Sequence, residues 1–283
     1  MNSPPPPGAV LITGCSTGIG RATAERLARA GHPVYATARR PEALAGLEDA
    51  GCTLLTLDVT DEDSMQAAVA RVVADHGAVG ALVNNAGYSA SGAMEKVSPQ
   101  DLRRQFETNV FGLARMCQLV LPGMSGQGTG RIVNISSMGA NFTLPGGGVY
   151  HATKYAVEAL SDALRFEVKG FGVKVVIVQP GLIRTEFGAT AAAEVDPADG
   201  PYAEFNAAVA KLTMDAYETG PLAKLGAGPD AVARTIQTAI TTTKPKIRYR
   251  VTPVAHVLIT QRKLMSDGMW DRFLGTQFTS PTA

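Results

Sequence analysis

The sequence predicts an α/β fold in which helices cover both faces of one doubly wound parallel sheet. Three observations carry this. Short apolar runs rich in Val, Ile and Leu alternate with helical patterns from Ala9 onward. Those runs are almost uniformly apolar, as strands covered on both faces must be. The alternation also recurs at the spacing of βα units, whose strands pair in parallel. No step in composition marks a second domain. One domain is therefore expected over 9–252, between a Pro-rich tail (1–8) and a C-terminal helical extension (253–283).

The elements follow in order. "AVLITG" is a strand, and a helix follows through "GRATAERLARAG". "PVYATA" is the next strand, with a helix expected in "PEALAGLEDA". "CTLLTLDV" precedes the helix "DEDSMQAAVARVVADHG", and "ALVNNAG" precedes helices from Ser98 to about Leu121. "GRIVNISS" leads to a helix beginning near Tyr150, followed by "VKVVIVQPG". Residues 186–225 carry weak helical patterns broken by Gly and Pro. An insertion after a strand's C-terminal end reads as a substrate lid or as a surface excursion. A last strand in "KPKIRYRVTP" precedes a basic, partly apolar stretch from Pro253 to Leu274, read as a helix on its own domain or as a membrane-surface contact.

Composition narrows the function. The 283 residues are 45% hydrophobic and 18% charged, enough for a sizeable core. A net charge of +1 offers little field for nucleic acid. The three cysteines, Cys15, Cys52 and Cys117, fit buried thiols, and the four histidines lack ligand spacing, so no metal is expected. The N-terminus lacks a secretory pattern and no apolar run is long enough to cross a bilayer, which makes a cytoplasmic chain the expectation.

Two stretches carry chemistry. In "LITGCSTGIG", Gly14, Gly18 and Gly20 lie between the first strand and the first helix, with Ser16, Thr17 and Ile19 among them. Glycine lets the backbone approach a pyrophosphate, and the helix N-terminus supplies N–H donors. The spacing is G-x-x-x-G-x-G rather than the usual dinucleotide fingerprint. After the second strand, Ala38 is followed by Arg39 and Arg40, where an acidic residue would favour NAD. A guanidinium suits a 2′-phosphate, so NADP is favoured over NAD. The alternative is that both arginines are solvated residues opening the next helix. The second stretch is "YHATK", which sets Tyr150 and Lys154 four residues apart on one helix face. They form a core wall with a snorkelling lysine, or a phenol tuned to move a proton.

With "TGCSTGIG", "NNAG", "NISS" and "YHATK" in this order and spacing, the sequence resembles the short-chain dehydrogenase/reductase family from about Ala9 to Phe187. The resemblance implies a Rossmann-type sheet of about seven strands, a nicotinamide cofactor and carbonyl/alcohol interconversion. It makes Tyr150 the acid/base and Lys154 its tuner and ribose ligand. Ser137, thirteen residues before Tyr150, becomes the oxygen-binding donor, with Asn109 as proton-relay anchor. It places Asp58 and Val59 at the adenine, Asn85, Ala86 and Gly87 along the cofactor, and Pro180, Gly181, Ile183 and Thr185 at the nicotinamide. An ammonium near a phenol of ordinary pKa about 10 is expected to lower it. His151 and Cys15 read as structural.

The ending lacks the family's common Gly-rich segment. It looks similar to the branch containing 17-beta-hydroxysteroid and retinol dehydrogenases, which implies NADP(H) and apolar alcohols or ketones. Ser137, Met138, Gly146, Val149 and Phe187 are expected to line the substrate pocket. Tyr88 to Met94 and the lid's Tyr202, Phe205 and Met214 are expected to wall it. The reading is an NADP(H)-dependent oxidoreductase acting on a small-molecule carbonyl or alcohol, as a homodimer or homotetramer. A non-catalytic nucleotide sensor, or the same enzyme using NAD(H), stands as the alternative.

Overall fold

A computed structural model of the chain describes residues 8–193, 195 and 200–278. All of the expected tail but Gly8 lies outside the described residues, as do 194 and 196–199 of the expected lid and 279–283 of the extension. The strands are β1 (Val10–Ile12), β2 (Val34–Ala38), β3 (Cys52–Thr56), β4 (Ala81–Asn84), β5 (Gly130–Ile135), β6 (Val173–Pro180) and β7 (Arg248–Val251). They form one seven-stranded sheet in the order β3-β2-β1-β4-β5-β6-β7, and every pairing is parallel. Val10 pairs with Val34 on one side and with Ala81 on the other. The strand order thus reverses between β1 and β4, where such sheets open a crevice beyond the strands' carboxyl ends.

The helices are α1 (Gly18–Arg29), α2 (Glu62–His76), α3 (Pro99–Phe106), α4 (Gly112–Gly126), α5 (Gly148–Glu167), α6 (Glu186–Ala193), α7 (Ala203–Met214), α8 (Pro229–Thr241), α9 (Pro253–Leu264) and α10 (Asp267–Gly275). Val10 and Ile12 face Leu27 of α1 and Val232 and Ile236 of α8. Leu11 faces the other way, toward Val69 of α2 and Met116 and Val120 of α4, in a cluster that also holds Val157 of α5. Successive strand residues serve opposite layers, so the central strands are largely apolar, with a few buried polar residues such as Thr37 and Asn134 within them. Each large side chain fully buried here stabilises the fold by about 1.5–3 kcal/mol.

Local chemistry sets the ends. The Asp61 carboxylate accepts the Ser64 N–H at 2.8 Å and starts α2. Ser98 accepts from the Asp101 N–H at 3.0 Å and starts α3, with Pro99 at its first position. A single π turn, Glu107–Phe111, joins α3 to α4, which continues past Pro122 to Gly126. The helix expected in 41–50 does not form. Pro41–Leu44 makes one 3-10 turn and Gly46 follows at a φ of +84°. α8, which the sequence reading did not mark, completes the layer beside α1.

The segment after β6 folds into α6, a 3-10 turn at Gly200–Tyr202, α7, a π turn at Asp215–Thr219 and a 3-10 turn at Pro221–Leu225. α9 and α10 pack on the same domain: Val254, Ile259 and Trp270 bury against Met138, Phe142 and Leu182. The Trp270 and Phe142 rings lie 5.7 Å apart. Among the described residues, no helix is long and apolar enough to cross a membrane.

Candidate active site

A cleft of about 450 Å³ opens at the β1/β4 crossover. Its floor is the loop from β1 into α1. Gly14 has a φ of +73°, and a Cβ there would come within 2.9 Å of the Ala86 Cα, so only glycine fits. The loop after β4 is tied to this turn. The Asn85 Nδ2 donates to the carbonyls of Thr13 at 3.0 Å and Gly14 at 2.9 Å. The Ala86 N–H donates to the Thr13 hydroxyl at 3.0 Å. Thr17 caps α1 without a side-chain hydrogen bond, so the first-turn N–H groups stay available to an anion.

Ser137, Tyr150 and Lys154 line the same cleft from two elements. Ser137 ends the turn out of β5, and its Oγ accepts the Gly139 N–H at 3.0 Å. Tyr150 and Lys154 rise from the first turns of α5. The Lys154 Nζ donates to the Ile135 carbonyl at 2.9 Å and sits 5.7 Å from the centre of the Tyr150 ring. Phe187, on α6, packs its ring 5.7 Å from that of Tyr150, and Tyr217 follows at 6.3 Å from Phe187. The phenol therefore stands at an apolar aromatic wall.

The electrostatics correct one expectation. Tyr150 is not drawn down: burial pushes it up to about 12, against a hydrogen bond with Ser137 that pulls the other way. Lys154 is itself pushed down to about 8 by burial, with the Glu158 charge opposing. Its ammonium donates to a backbone carbonyl and lies over the ring of Tyr150. At neutral pH the pair is a phenol and an ammonium.

Besides these three, Gly14, Ser16, Thr17, Gly18, Ile19, Arg39, Asp58, Val59, Asn85, Ala86, Gly87, Pro180, Gly181, Ile183, Thr185 and Phe187 line the cleft. Asp58 spends one carboxylate oxygen on Thr60, from both its N–H and its hydroxyl, at 2.9 and 2.8 Å. Other expected residues lie elsewhere. A Cβ on Gly20 would meet the Gly14 carbonyl at 2.2 Å, so this glycine packs helix on loop. Arg40 precedes the 3-10 turn and pairs with Glu42 at 4.0 Å, outside the cleft wall.

Asn109 is buried in the π turn behind Gly87, bonded to both backbone groups of Tyr88 at 3.1 and 2.9 Å and to Thr153 at 3.1 Å. Met138 is buried in the cluster beneath α9 and α10. Gly146 and Val149 line a second cavity, of about 430 Å³, between the start of α5 and Trp270 of α10. Tyr202 and Phe205 pack with Ala93 and Val209, away from the cleft, and Met214 is absent from its lining. His151 bridges loops, its Nδ1 2.7 Å from the Gly139 carbonyl and its Nε2 accepting from the Leu144 N–H at 3.3 Å.

Sequence reasoning missed Tyr217, Arg104, Thr108 and Thr190 of the cleft wall; nothing in their local patterns singles them out. Ser136 also lines the cleft, and its buried hydroxyl has no hydrogen-bond partner among the described residues. The glycine cradle, the open α1 amides and this unmatched hydroxyl together fit a dinucleotide lying from Arg39 to Tyr150.

Comparison with known proteins agrees. The short chain dehydrogenase family model matches residues 8–196. "Uncharacterized oxidoreductase YbbO" of Escherichia coli K12 is 35% identical over 268 residues, 94% of this chain and 93% of its own. The "3-ketodihydrosphingosine reductase" of Bacteroides thetaiotaomicron is 41% identical over 181 residues, 64% of this chain and 66% of its own. The "NADPH-dependent 3-dehydrocapnine reductase" of Ornithobacterium rhinotracheale is 34% identical over 272 residues, 93% and 94%. Among solved structures, a serine dehydrogenase complexed with NADP+ superposes with a TM-score of 0.74 at 30% identity, covering 87% of this chain and 95% of that one. A short chain dehydrogenase/reductase from Burkholderia phymatum in complex with NAD gives 0.79 at 26% identity, covering 98% of each. Cleft, sheet and relatives converge: this chain belongs to the short-chain dehydrogenase family of oxidoreductases.

Proposed function

We propose that the chain reduces a ketone or aldehyde on an apolar substrate with NADPH, and oxidises the corresponding alcohol in reverse. The observation that carries this reading is the un-ionised Tyr150 phenol beside Ser137, in a cleft that Arg39 also lines. A carbonyl oxygen between the two hydroxyls would accept a hydrogen bond from each. As negative charge grows on that oxygen, Tyr150 Oη gives up its proton and Ser137 Oγ stabilises what remains. The Lys154 ammonium favours the phenolate left behind. Bound NADPH supplies the hydride. The open N–H groups of α1 would hold its diphosphate and Arg39 its 2′-phosphate.

Phe187 and Tyr217 support an apolar substrate body. The names of two relatives, built on a 3-keto and a 3-dehydro compound, support a ketone, and one of them specifies NADPH. The test measures NADPH and NADH oxidation against long-chain 3-ketones, steroids and apolar aldehydes. NADPH is expected to be preferred, with Tyr150→Phe lowering kcat by about 10²-fold or more. Arg39→Asp is expected to raise the KM for NADPH about ten-fold or more and to spare NADH. Tight nucleotide binding with no carbonyl turned over would sink the reductase reading. Homo-oligomerisation, supported by exposed Phe111 at the end of the π turn and Phe166 on α5, is checked by light scattering.

A further inference from the structure

We propose that Glu158 is a positioning residue of this site: its carboxylate, fixed one helical turn beyond Lys154 by Gln179 and Arg248, supplies the counter-charge of the Lys154 ammonium. The inference rests on the phenol–ammonium reading given above. Lys154 is 7% exposed, and its one hydrogen bond goes to a neutral carbonyl. A buried ammonium so placed needs an opposite charge nearby to persist. The elements around it offer few. The π turn brings neutral Asn109, β5 brings the Ile135 carbonyl and then Ser137, and α5 brings Tyr150 and Glu158. Glu158 lies at i+4 from Lys154, about 6 Å between Cβ atoms.

Its carboxylate is held from two neighbouring strands. The Gln179 Nε2 donates to Oε1 at 2.9 Å from β6, and the Arg248 Nε donates to Oε2 at 2.8 Å from β7. The side chain is 12% exposed, so its charge is poorly screened. Arg248 also grips Asp162, whose other oxygen accepts from Arg165 at 2.9 Å. Asp162 thus shares the Arg248 and Arg165 cations, and of these four charged groups Glu158 is the one that acts on Lys154 from one turn along α5. Gln179 directly precedes Pro180 and Gly181 of the cleft wall, so the same bond ties the lysine's counter-charge to that wall.

The test follows the Lys154 side chain by NMR titration of the full chain carrying ¹³C-labelled lysine, with Lys154→Arg to assign the signal. The titration needs no turnover, so it stands or falls apart from the reductase reading. Wild type is expected to titrate at about pH 8. In Glu158→Gln the midpoint is expected about one pH unit lower. The alkaline limb of kcat/KM should move down with it, because activity requires the ammonium. Glu158→Asp keeps the charge and should titrate within a few tenths of a unit of wild type, which also serves if the Gln variant fails to fold. Arg248→Gln removes a cation and should leave the midpoint in place or raise it. An unchanged midpoint in Glu158→Gln, a full fall in Glu158→Asp, or an equal fall in Arg248→Gln would overturn the proposal.

Discussion

Tyr150 and His151 are neighbours with opposite duties, and their surroundings decide which is which. Tyr150 lines the cleft, whereas His151 has both ring nitrogens engaged by the backbone of Gly139 and Leu144. With Nδ1 donating and Nε2 accepting, the ring must be neutral. Burial lowers its pKa, against the bond to Gly139. The unfolded chain therefore takes up this proton at about pH 6.5 while the fold resists it. Stability due to His151 is full above that pH and declines as the pH falls below it. Thermal melts from pH 7.5 to 5 should show a steeper acid decline for wild type than for His151→Asn, which starts from a lower melting temperature.

Residues whose chemistry fixes both type and spacing, such as Tyr150, Lys154 and Gly14, were legible in the sequence. Arg39 and Arg40 were not separable there, because successive residues leaving a strand point to opposite sides. Tyr217 was illegible because only the folding of the lid brings it to Phe187.

The lid is pinned by a few contacts. Asn206 of α7 is fully buried, and its Oδ1 accepts the Ala93 N–H at 3.0 Å. Val209, one turn on, fills the space that a Cβ on Gly146 would occupy. Asn206→Ala leaves a buried N–H without its acceptor, at a cost of about 1–3 kcal/mol. Steady-state kinetics should show the KM for the carbonyl substrate raised several-fold, with kcat nearly unchanged, because Tyr150 and Lys154 stand on α5 instead.

At this scale the strands read clearly, since two-sided burial leaves a largely apolar run in most of them. The short elements did not. Gly46 cut off the helix expected in 41–50 after one turn. α8 follows a segment whose broken patterns gave it no frame. The π turn around Asn109 left no periodic trace because it inserts a single wide turn into a helical run.

On the scale of the molecule, the C-terminal extension is part of the core rather than an appendage. Phe142 is 1% exposed and Trp270 5%, and the two are in ring contact. A chain ending at Thr252 would uncover Met138, Phe142 and Leu182 together. At about 1.5–3 kcal/mol for each large side chain, the loss approaches a domain's whole margin of about 5–15 kcal/mol. Such a truncation is expected to be recovered mostly as aggregate, with any soluble fraction melting well over 10 °C lower by calorimetry. The single sheet was readable from composition and rhythm. That Trp270 would lie under the turn following Ser137 was not, because no local pattern connects residues so far apart.

That contact also orders events in time. Translation is vectorial, and Ser137 leaves the ribosome long before Trp270 does. Until α10 emerges, the stretch from Met138 to Phe142 lacks the Trp270 part of its apolar cover, and the turn that carries Ser137 is incompletely packed. The nucleotide cradle, built from β1, α1 and β4, waits less long, since the α8 on which α1 packs ends at Thr241. Helix α10 therefore completes the packing under Ser137 after every element of the nucleotide cleft has been made.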